Sequence, residues 1–263
     1  DVDEQSSLMI ACCSGNTPGP GPAAPTASSD KDVNYKLNLS YEVNDDILFY
    51  AQAAQGFRSG GNNEPGISVV PGCQNASSFS SDGLWNYELG AKMALLDNRA
   101  VVNLTPYYID WSDMQVRAFN PLCNNARIAN AGEARIQGVE AEVVLRPVAA
   151  LQFNLTFNYS DAELTENQPL ATGTGNGTEG RKGDDIPGVP RTSSSAGVQY
   201  SFPVRNASLE GVLRGDYSYV GSSKTAFRPL TDPTYRVQPS YALTNLRFSL
   251  VGASWETSLF MNN

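Results

Sequence analysis

The sequence feature that most restricts the fold of this chain is a strict alternation of apolar and polar residues in its longest regular segments. Between residues 35 and 43 every second residue is Tyr, Leu or Val, and the residues between them are polar. Leu151 to Ser160 repeat the pattern, with Leu, Phe and Tyr alternating with Gln, Asn, Thr and Ser. Successive side chains of a β-strand point to opposite faces, whereas a helix would scatter both sets around its circumference. The pattern therefore predicts β-strands that each have one apolar and one polar face.

The alternation predicts ten strands, to within a few residues at each end. They cover residues 34–43, 47–58, 85–96, 100–117, 132–146, 151–163, 190–202, 209–220, 241–250 and 255–263. Short and long connections alternate between them, and the long ones are 59–84, 118–131, 164–189 and 221–240. Outer-membrane barrels have short periplasmic turns and long extracellular loops. The sequence therefore predicts an all-β fold, an antiparallel up-and-down transmembrane β-barrel over residues 34–263, with an extracellular loop region at residues 1–33.

The directions of the strands indicate that the barrel is incomplete. The strand at 34–43 ends in a short turn and runs toward the periplasm, whereas the strand at 255–263 follows a short turn and runs outward. Because a bacterial barrel normally has both termini in the periplasm, we expect an internal fragment that lacks strands at both ends.

Each side chain of the alternating segments is thereby predicted to face either lipid or the lumen. Those expected to face lipid are Leu37, Leu39, Val143, Leu145, Leu155 and Phe157. Those expected to face the lumen are Asn38, Glu142, Asn154 and Thr156.

Composition excludes several classes of function. The chain has 18 Lys and Arg against 27 Asp and Glu, a net charge of −9, which argues against nucleic acid as a partner. It contains no histidine, which removes Ser-His-Asp catalysis and the usual zinc and haem ligand sets. No stretch reaches the 18 or so apolar residues of a membrane helix. We therefore predict no enzymatic activity, no cofactor and no metal site.

A series of short motifs runs in order along the chain. The motifs are Gly56-Phe57-Arg58-Ser59-Gly60-Gly61, Leu84-Trp85-Asn86-Tyr87-Glu88-Leu89-Gly90-Ala91-Lys92, Tyr108-Ile109-Asp110-Trp111-Ser112-Asp113-Met114-Gln115-Val116, Asn130-Ala131-Gly132 with Gly138-Val139-Glu140-Ala141-Glu142, Ile186-Pro187-Gly188-Val189-Pro190, Tyr217-Ser218-Tyr219-Val220-Gly221 and Leu259-Phe260-Met261-Asn262-Asn263. In this order they resemble the C-terminal half of the barrel of TonB-dependent outer-membrane receptors, especially the siderophore type, over residues 31–263.

The resemblance implies a 22-stranded barrel plugged by an N-terminal domain, of which these strands would be about numbers 12 to 21. It implies active uptake of a scarce nutrient, with a ferric siderophore or a similar nutrient chelate as the ligand, across the outer membrane of a Gram-negative bacterium. The other partners that it implies are outer-membrane lipid, the plug domain and the TonB complex. The plug and the contact with TonB would belong to an N-terminal part that is missing from this sequence.

Three residues are candidates for contact with an anionic chelate. Arg58, Trp85 and Arg117 lie where predicted strands emerge toward the long loops. The alternative, which we favour, is that they anchor the barrel at the membrane interface and pair with nearby acidic groups.

Cys73 and Cys123 lie in consecutive long loops on the same predicted side. A disulfide between them would close a loop of about fifty residues, for which chain entropy gives roughly 4 kcal/mol. Loop mobility argues against the bond, so the sequence leaves both states open.

Two other functions fit parts of the pattern. The first is a passive outer-membrane channel or a small ten-stranded barrel, which an upstream plug with a TonB-contacting segment would exclude. The second is a soluble β-rich adhesion module or enzyme, which partition into detergent would exclude.

Overall fold

The computed structural model describes residues 33–63, 78–120, 125–130, 132–167, 180–204, 208–227 and 235–263. Within these ranges no helix is long and apolar enough to cross a membrane. The predicted extracellular loop region at 1–33 lies outside the described residues except for Val33.

The described residues form sixteen β-strands, and every pair of neighbours is antiparallel. They are β1 (Lys36–Asn44), β2 (Ile47–Arg58), β3 (Gly61–Asn62), β4 (Ser78–Phe79), β5 (Asp82–Leu95), β6 (Ala100–Ser112), β7 (Gln115–Asn120), β8 (Asn125–Asn130), β9 (Ala134–Val148), β10 (Leu151–Leu164), β11 (Thr192–Pro203), β12 (Glu210–Val220), β13 (Ser223–Lys224), β14 (Val237–Gln238), β15 (Tyr241–Val251) and β16 (Glu256–Asn262).

Ten of these strands form one sheet in the order β1-β2-β5-β6-β9-β10-β11-β12-β15-β16. Each long strand lies beside the long strand that precedes it in the chain, which is the up-and-down arrangement of a barrel wall. The ten predicted strands and the antiparallel all-β fold class are thus confirmed. The remaining strands form three two-stranded hairpins, β3-β4, β7-β8 and β13-β14, within long connections.

One predicted strand, at 100–117, is wrong in its extent. Strand β6 ends at Ser112, and β7 pairs with β8 instead of continuing in the large sheet. The break occurs at Asp113, whose φ of 52° lies in the left-handed region and turns the chain away from the sheet. Nδ2 of Asn130 donates to the carbonyl oxygen of Asp113 at 2.9 Å, which fixes this turn.

The register separates the long strands into two faces, because residues directly opposite on paired strands share a face. On the polar face, Asn103 lies opposite Glu142, Glu142 opposite Thr156, and Thr156 opposite Ser195. The apolar face carries all six residues that were predicted to meet lipid, and these are Leu37, Leu39, Val143, Leu145, Leu155 and Phe157. The four residues predicted to face the lumen, Asn38, Glu142, Asn154 and Thr156, lie together on the polar face.

Some aromatic rings lie flat across a glycine on the neighbouring strand. On the polar face, Tyr50 is opposite Gly90 and Tyr107 is opposite Gly138. A Cβ atom added to Gly90 would lie 2.0 Å from the Tyr50 ring, and one added to Gly138 would lie 2.5 Å from the Tyr107 hydroxyl oxygen. Glycine is therefore required at position 90 because the ring occupies the space of a side chain, and at position 138 because both the ring and the backbone carbonyl oxygen of Tyr159, at 2.2 Å, leave no room for one.

Candidate functional site

The polarity of the two faces is exchanged at the end of the sheet where the long connections emerge. Beyond Tyr107 and Gly138, the face that is polar elsewhere carries a row of apolar residues, and the members of this row are Trp111, Ala134, Ile136, Ala162 and Leu164. The opposite face, apolar elsewhere, carries Asp110, Arg135 and Glu163 in one cross-strand row. A charged outer face requires water, so the exchange marks the level at which the strands leave the predicted membrane.

Three long connections cover this apolar row and bury it. Met114 belongs to the connection between β6 and β9, Ile186 and Val189 to that between β10 and β11, and Phe227 to that between β12 and β15. We call this group, together with the apolar row, the inner cluster; its buried members are Met114, Ala134, Ala162, Leu164 and Ile186. The connections therefore fold over the face of the strands that carries the apolar row instead of extending away from the sheet.

Backbone hydrogen bonds fix the segment that carries Ile186. The amide of Ile186 donates to the carbonyl oxygen of Ala162 at 2.9 Å, and the amide of Leu164 donates to that of Asp184 at 3.0 Å. Further along the segment, the amide of Gly188 donates to the carbonyl oxygen of Lys224 at 2.8 Å. This segment therefore adds to the end of β10 and also connects it to the next long connection.

Arg58, a residue singled out in the sequence, lies on the polar face and is engaged by its own chain. It forms an ion pair with Asp82, whose side chain is 1% exposed, and its Nη2 donates to the carbonyl oxygen of Gln115 at 3.1 Å. Its guanidinium carbon lies 4.6 Å from the centre of the Trp111 ring, a cation–π distance. The side chain remains 49% exposed, so one edge of the guanidinium is still accessible to solvent.

Amide side chains hold the first two hairpins together. Nε2 of Gln115 donates to the carbonyl oxygens of Ser59 at 2.9 Å and Ser80 at 3.1 Å. Oδ1 of Asn130 accepts from the amide of Ser80 at 2.7 Å, and its Nδ2 donates to the carbonyl oxygen of the same residue at 2.9 Å. The bases of the connections after β2 and β6 are therefore held in one position.

A second group of charges joins the connections after β10 and β12. Asp185 accepts from Nζ of Lys224 at 2.6 Å and from Nη2 of Arg191 at 2.7 Å. The hydrogen bond from Lys224, followed by that from Arg191, lowers the pKa of the Asp185 carboxyl below its ordinary value. The Lys224 and Arg191 side chains are 39% and 58% exposed, so both cations also remain accessible to an anion from solution.

The structure does not bring the three predicted ligand contacts together. Trp85 lies on the face opposite to Arg58, across from Asp110, and its ring stacks on Tyr87 with 5.9 Å between centroids. Arg117 lies in β7 opposite Ile128, and its side chain is outside the described residues. Contact between a ligand and any of these residues stays a prediction.

Cys73 and Cys123 lie outside the described residues, so the disulfide between them also stays a prediction. Within the described ranges, no three His, Cys, Asp or Glu side chains are grouped so that they could hold a metal ion.

Sequence reasoning missed the residues that organise this end of the sheet. Asp185 lies in a polar connection without a local motif that involves it, and its partner Lys224 is 39 residues away in the chain. Asp82 and Gln115 act through partners that are at least 24 residues away, and no local pattern indicates such pairs. The motif from Ile186 to Pro190 was the single available signal, because its two apolar residues interrupt a polar connection.

Comparison with known proteins gives consistent matches. A family model described as TonB dependent receptor-like, beta-barrel, matches residues 14–263. The Pesticin receptor of Yersinia pestis is 27% identical over 183 residues, which cover 69% of this chain and 24% of that protein. The Metal-pseudopaline receptor CntO of Pseudomonas aeruginosa is 25% identical over 187 residues, which cover 71% of this chain and 23% of that protein.

Solved structures show the same fold at lower identity. The ferric yersiniabactin uptake receptor FyuA from Yersinia pestis superposes with a TM-score of 0.68 at 22% identity, covering 91% of this chain and 33% of that one. The Ferric-Catecholate import receptor Fiu from K12 E. coli superposes with a TM-score of 0.62 at 16% identity, covering 99% and 35%. The chain thus spans about a quarter of the length of the curated relatives it matches.

Proposed function

Because this chain belongs to the TonB-dependent receptor family of the Gram-negative outer membrane, we propose that it supplies lumen wall and extracellular ligand contacts to an active importer of a ferric siderophore. The family and the relatives matched here are receptors and not enzymes. In this proposal the apolar face meets outer-membrane lipid and the polar face lines the lumen. The plug domain and the TonB complex act through another part of the protein.

The names of the related proteins support the choice of ligand class. FyuA is described as an uptake receptor for ferric yersiniabactin, Fiu as an import receptor for ferric catecholates, and CntO as a receptor for metal-pseudopaline. All three ligands are small organic molecules with a metal. We infer the same class for this chain.

The inner cluster with an accessible cation beside it is the observation that carries the proposal. The guanidinium carbon of Arg58 lies 4.6 Å from the centre of the Trp111 ring, on the face that carries the cluster, and the Arg58 side chain is 49% exposed. A ferric siderophore is commonly anionic and partly apolar, so a cation next to an apolar surface fits its chemistry. Asp185, which binds Arg191 and Lys224, lies opposite Glu163 and therefore on the other face of the sheet, so those two cations do not border the cluster.

Uptake of radioactive iron tests the proposal. Cells that lack their own siderophore receptors would carry the complete gene, and uptake would be measured for a panel of ferric siderophores. We expect uptake for one structural class, and an Arg58→Gln change should raise the half-saturating ligand concentration. Lys182→Gln, an exposed cation in the connection after β10, is the control and should leave that concentration unchanged. The assignment to iron would be contradicted if the cells took up none of the iron chelates but did take up a different nutrient.

A further inference from the structure

Two arginines lie directly opposite each other on the polar face, far from the connections that form the candidate site. Arg214 of β12 is the cross-strand partner of Arg247 of β15. Arg214 is four residues from Glu210, where the short connection from Pro203 enters β12. Arg247 is four residues from Val251, where the short connection to Glu256 leaves β15. Four residues of a strand span about 13 Å. Like charges in directly opposite positions destabilise a sheet unless a partner of opposite charge compensates them.

Among the described residues, one carboxylate pairs with these arginines. Asp216 accepts two bonds from Arg214, at 2.8 Å from Nε and 2.9 Å from Nη2. The side chain of Arg247 is exposed and has neither an ion pair nor a hydrogen bond with the described residues, although its charge acts on Asp216 at longer range. Its other cross-strand neighbour is Phe260, which carries no charge. The group of two arginines and one aspartate therefore keeps a net charge of +1.

The other described carboxylates on this face form no ion pair with either arginine. Glu210 and Glu256 lie four residues along their strands, which separates the backbones by about 13 Å. Glu142 lies on β9, and its backbone is three strand spacings, or about 14 Å, from β12. Asp216 is therefore the acid that pairs with this group.

The polar groups around the arginines are the carboxylate of Asp216 and two amide side chains. Gly197 of β11 lies opposite Asp216. The Asp216 carboxylate lies over this glycine, because a Cβ atom there would lie 3.0 Å from Oδ1 of Asp216. Gln199 lies opposite Arg214, and Asn245 lies opposite Asp216, so two amide side chains border the arginines and their aspartate.

We propose that Arg214 and Arg247 form an anion site on the polar face that receives a carboxylate group. A guanidinium presents its donors as a planar fork that fits the two oxygens of a carboxylate. The site rests on the proposed function in one respect, because the polar face must line the lumen for an anion to reach it. The carboxylate has two sources, a solute that enters the lumen or an acidic side chain from another segment of the same protein.

Binding of citrate to the complete, detergent-purified protein tests the site and does not depend on transport. Citrate supplies carboxylates without a metal, and its dissociation constant would be measured by titration calorimetry beside the midpoint of thermal unfolding. If the source is a solute, Arg247→Gln should weaken citrate binding about tenfold, as expected for loss of a charge-assisted hydrogen bond. Asp216→Asn should strengthen the binding, because it frees Arg214.

The control is Arg146→Gln, since Arg146 already donates to Gln152 at 2.9 Å within the chain. If the source is an acidic side chain, citrate will not bind and Arg247→Gln will lower the unfolding midpoint more than the control does. Citrate binding that Arg247→Gln leaves unchanged would overturn the proposal. The proposal would also be overturned if citrate did not bind and the unfolding midpoint were the same in Arg247→Gln and in the control. Loss of siderophore uptake in Arg247→Gln or in Arg146→Gln bears on the proposed function and not on this site.

Discussion

Single residues decide whether neighbouring strands can approach each other under an aromatic ring. The three atoms nearest to an added Cβ at Gly90 all belong to Tyr50, the closest at 2.0 Å. Gly90→Ala should therefore destabilise the protein by about 1–3 kcal/mol, as overpacking commonly does. In a Tyr50→Ala background the same change should cost much less, because the ring is gone. Unfolding by urea of the four members of this double-mutant cycle measures the difference.

Gly138 and Gly215 provide matched comparisons for that cycle. At Gly138 an added Cβ would lie 2.2 Å from the backbone carbonyl oxygen of Tyr159, so removal of the Tyr107 ring should not rescue Gly138→Ala. At Gly215 the nearest atom is a Leu246 methyl group at 3.3 Å, which has room to move. Gly215→Ala should therefore be tolerated. Equal costs of Gly90→Ala with and without Tyr50 would show that the ring is not the obstacle.

The sequence predicts the face of a residue but not the partner that lies across from it. Alternation placed Leu155 and Thr156 on opposite faces, and the structure agrees. The neighbour of Gly90 depends on the register between β2 and β5, which no single strand specifies. For the same reason the sequence grouped Trp85 with Arg58, although the register puts them on opposite faces.

At the scale of the strand, adjacent positions should respond in opposite ways to the same charge. Leu155 is 45% exposed on the apolar face, whereas Thr156 bonds Ser195 at 2.7 Å and lies opposite Glu142 on the polar face. Leu155→Arg should cost about 2–4 kcal/mol if that face meets the centre of a bilayer. Thr156→Arg should cost much less, because Glu142 is available as a partner. Reversible unfolding of the complete protein in lipid vesicles measures both, and equal costs would contradict the assignment of the faces.

The segment at 180–191 should be held less tightly at the end of β10 in acid. Because the pKa of Asp185 is below its ordinary value in the folded protein, its contribution to stability is complete above about pH 4 and is lost as the pH falls through the folded pKa. Asp185→Asn should reproduce that loss at neutral pH. Both ion pairs are partly exposed, so we expect about 1 kcal/mol, or roughly fivefold faster hydrogen exchange at the Gly183 and Ile186 amides.

Asp97→Asn is the comparison for that experiment. The Asp97 side chain is 95% exposed in a short connection and forms one ion pair, with Arg99 at 3.6 Å. Exchange at Gly183 and Ile186 should not change in this variant. Equal exchange rates in Asp185→Asn and the native protein would show that the backbone bonds alone hold the segment.

Long strands were predictable from sequence, whereas the hairpins in the connections were not. The long strands carry one apolar and one polar face over most of their length, and this arrangement leaves a period of two in the sequence. Strands β7 and β8 are instead held by Gln115 and Asn130, whose partners come from the preceding connection. Nothing in the local sequence distinguishes these amides from others in a polar loop, so the sequence extended a single strand to residue 117.

At the scale of the whole molecule, the large sheet is open among the described residues. Strands β1 and β16 each have one neighbour in it, and they do not pair with each other. In lipid an unpaired backbone donor or acceptor costs several kcal/mol, so these edges require further strands. We expect that residues 1–263 with a signal peptide will not restore growth on a ferric siderophore to a strain without receptors. The complete gene should restore it.

The comparison requires that both products reach the outer membrane, which immunoblots of membrane fractions establish. Growth with the fragment alone would refute the expectation. If neither the fragment nor the complete gene supports growth on any ferric siderophore, the expectation for the fragment still holds, but iron is not the nutrient.

The hydrogen-bonded bases of the connections also affect how such a protein changes through evolution. Gln115 and Asn130 fix the chain on both sides of the segment from 64 to 77, and the bonds of Leu164 and Gly183 do the same for the segment from 168 to 179. We expect mutations and insertions within those two segments to leave the hydrogen-bonded positions on either side of them in place. A lineage can therefore diversify the part of its receptor that the environment meets while selection holds the strands constant. Related receptors should differ most in length there, and least between the pinned residues and the sheet.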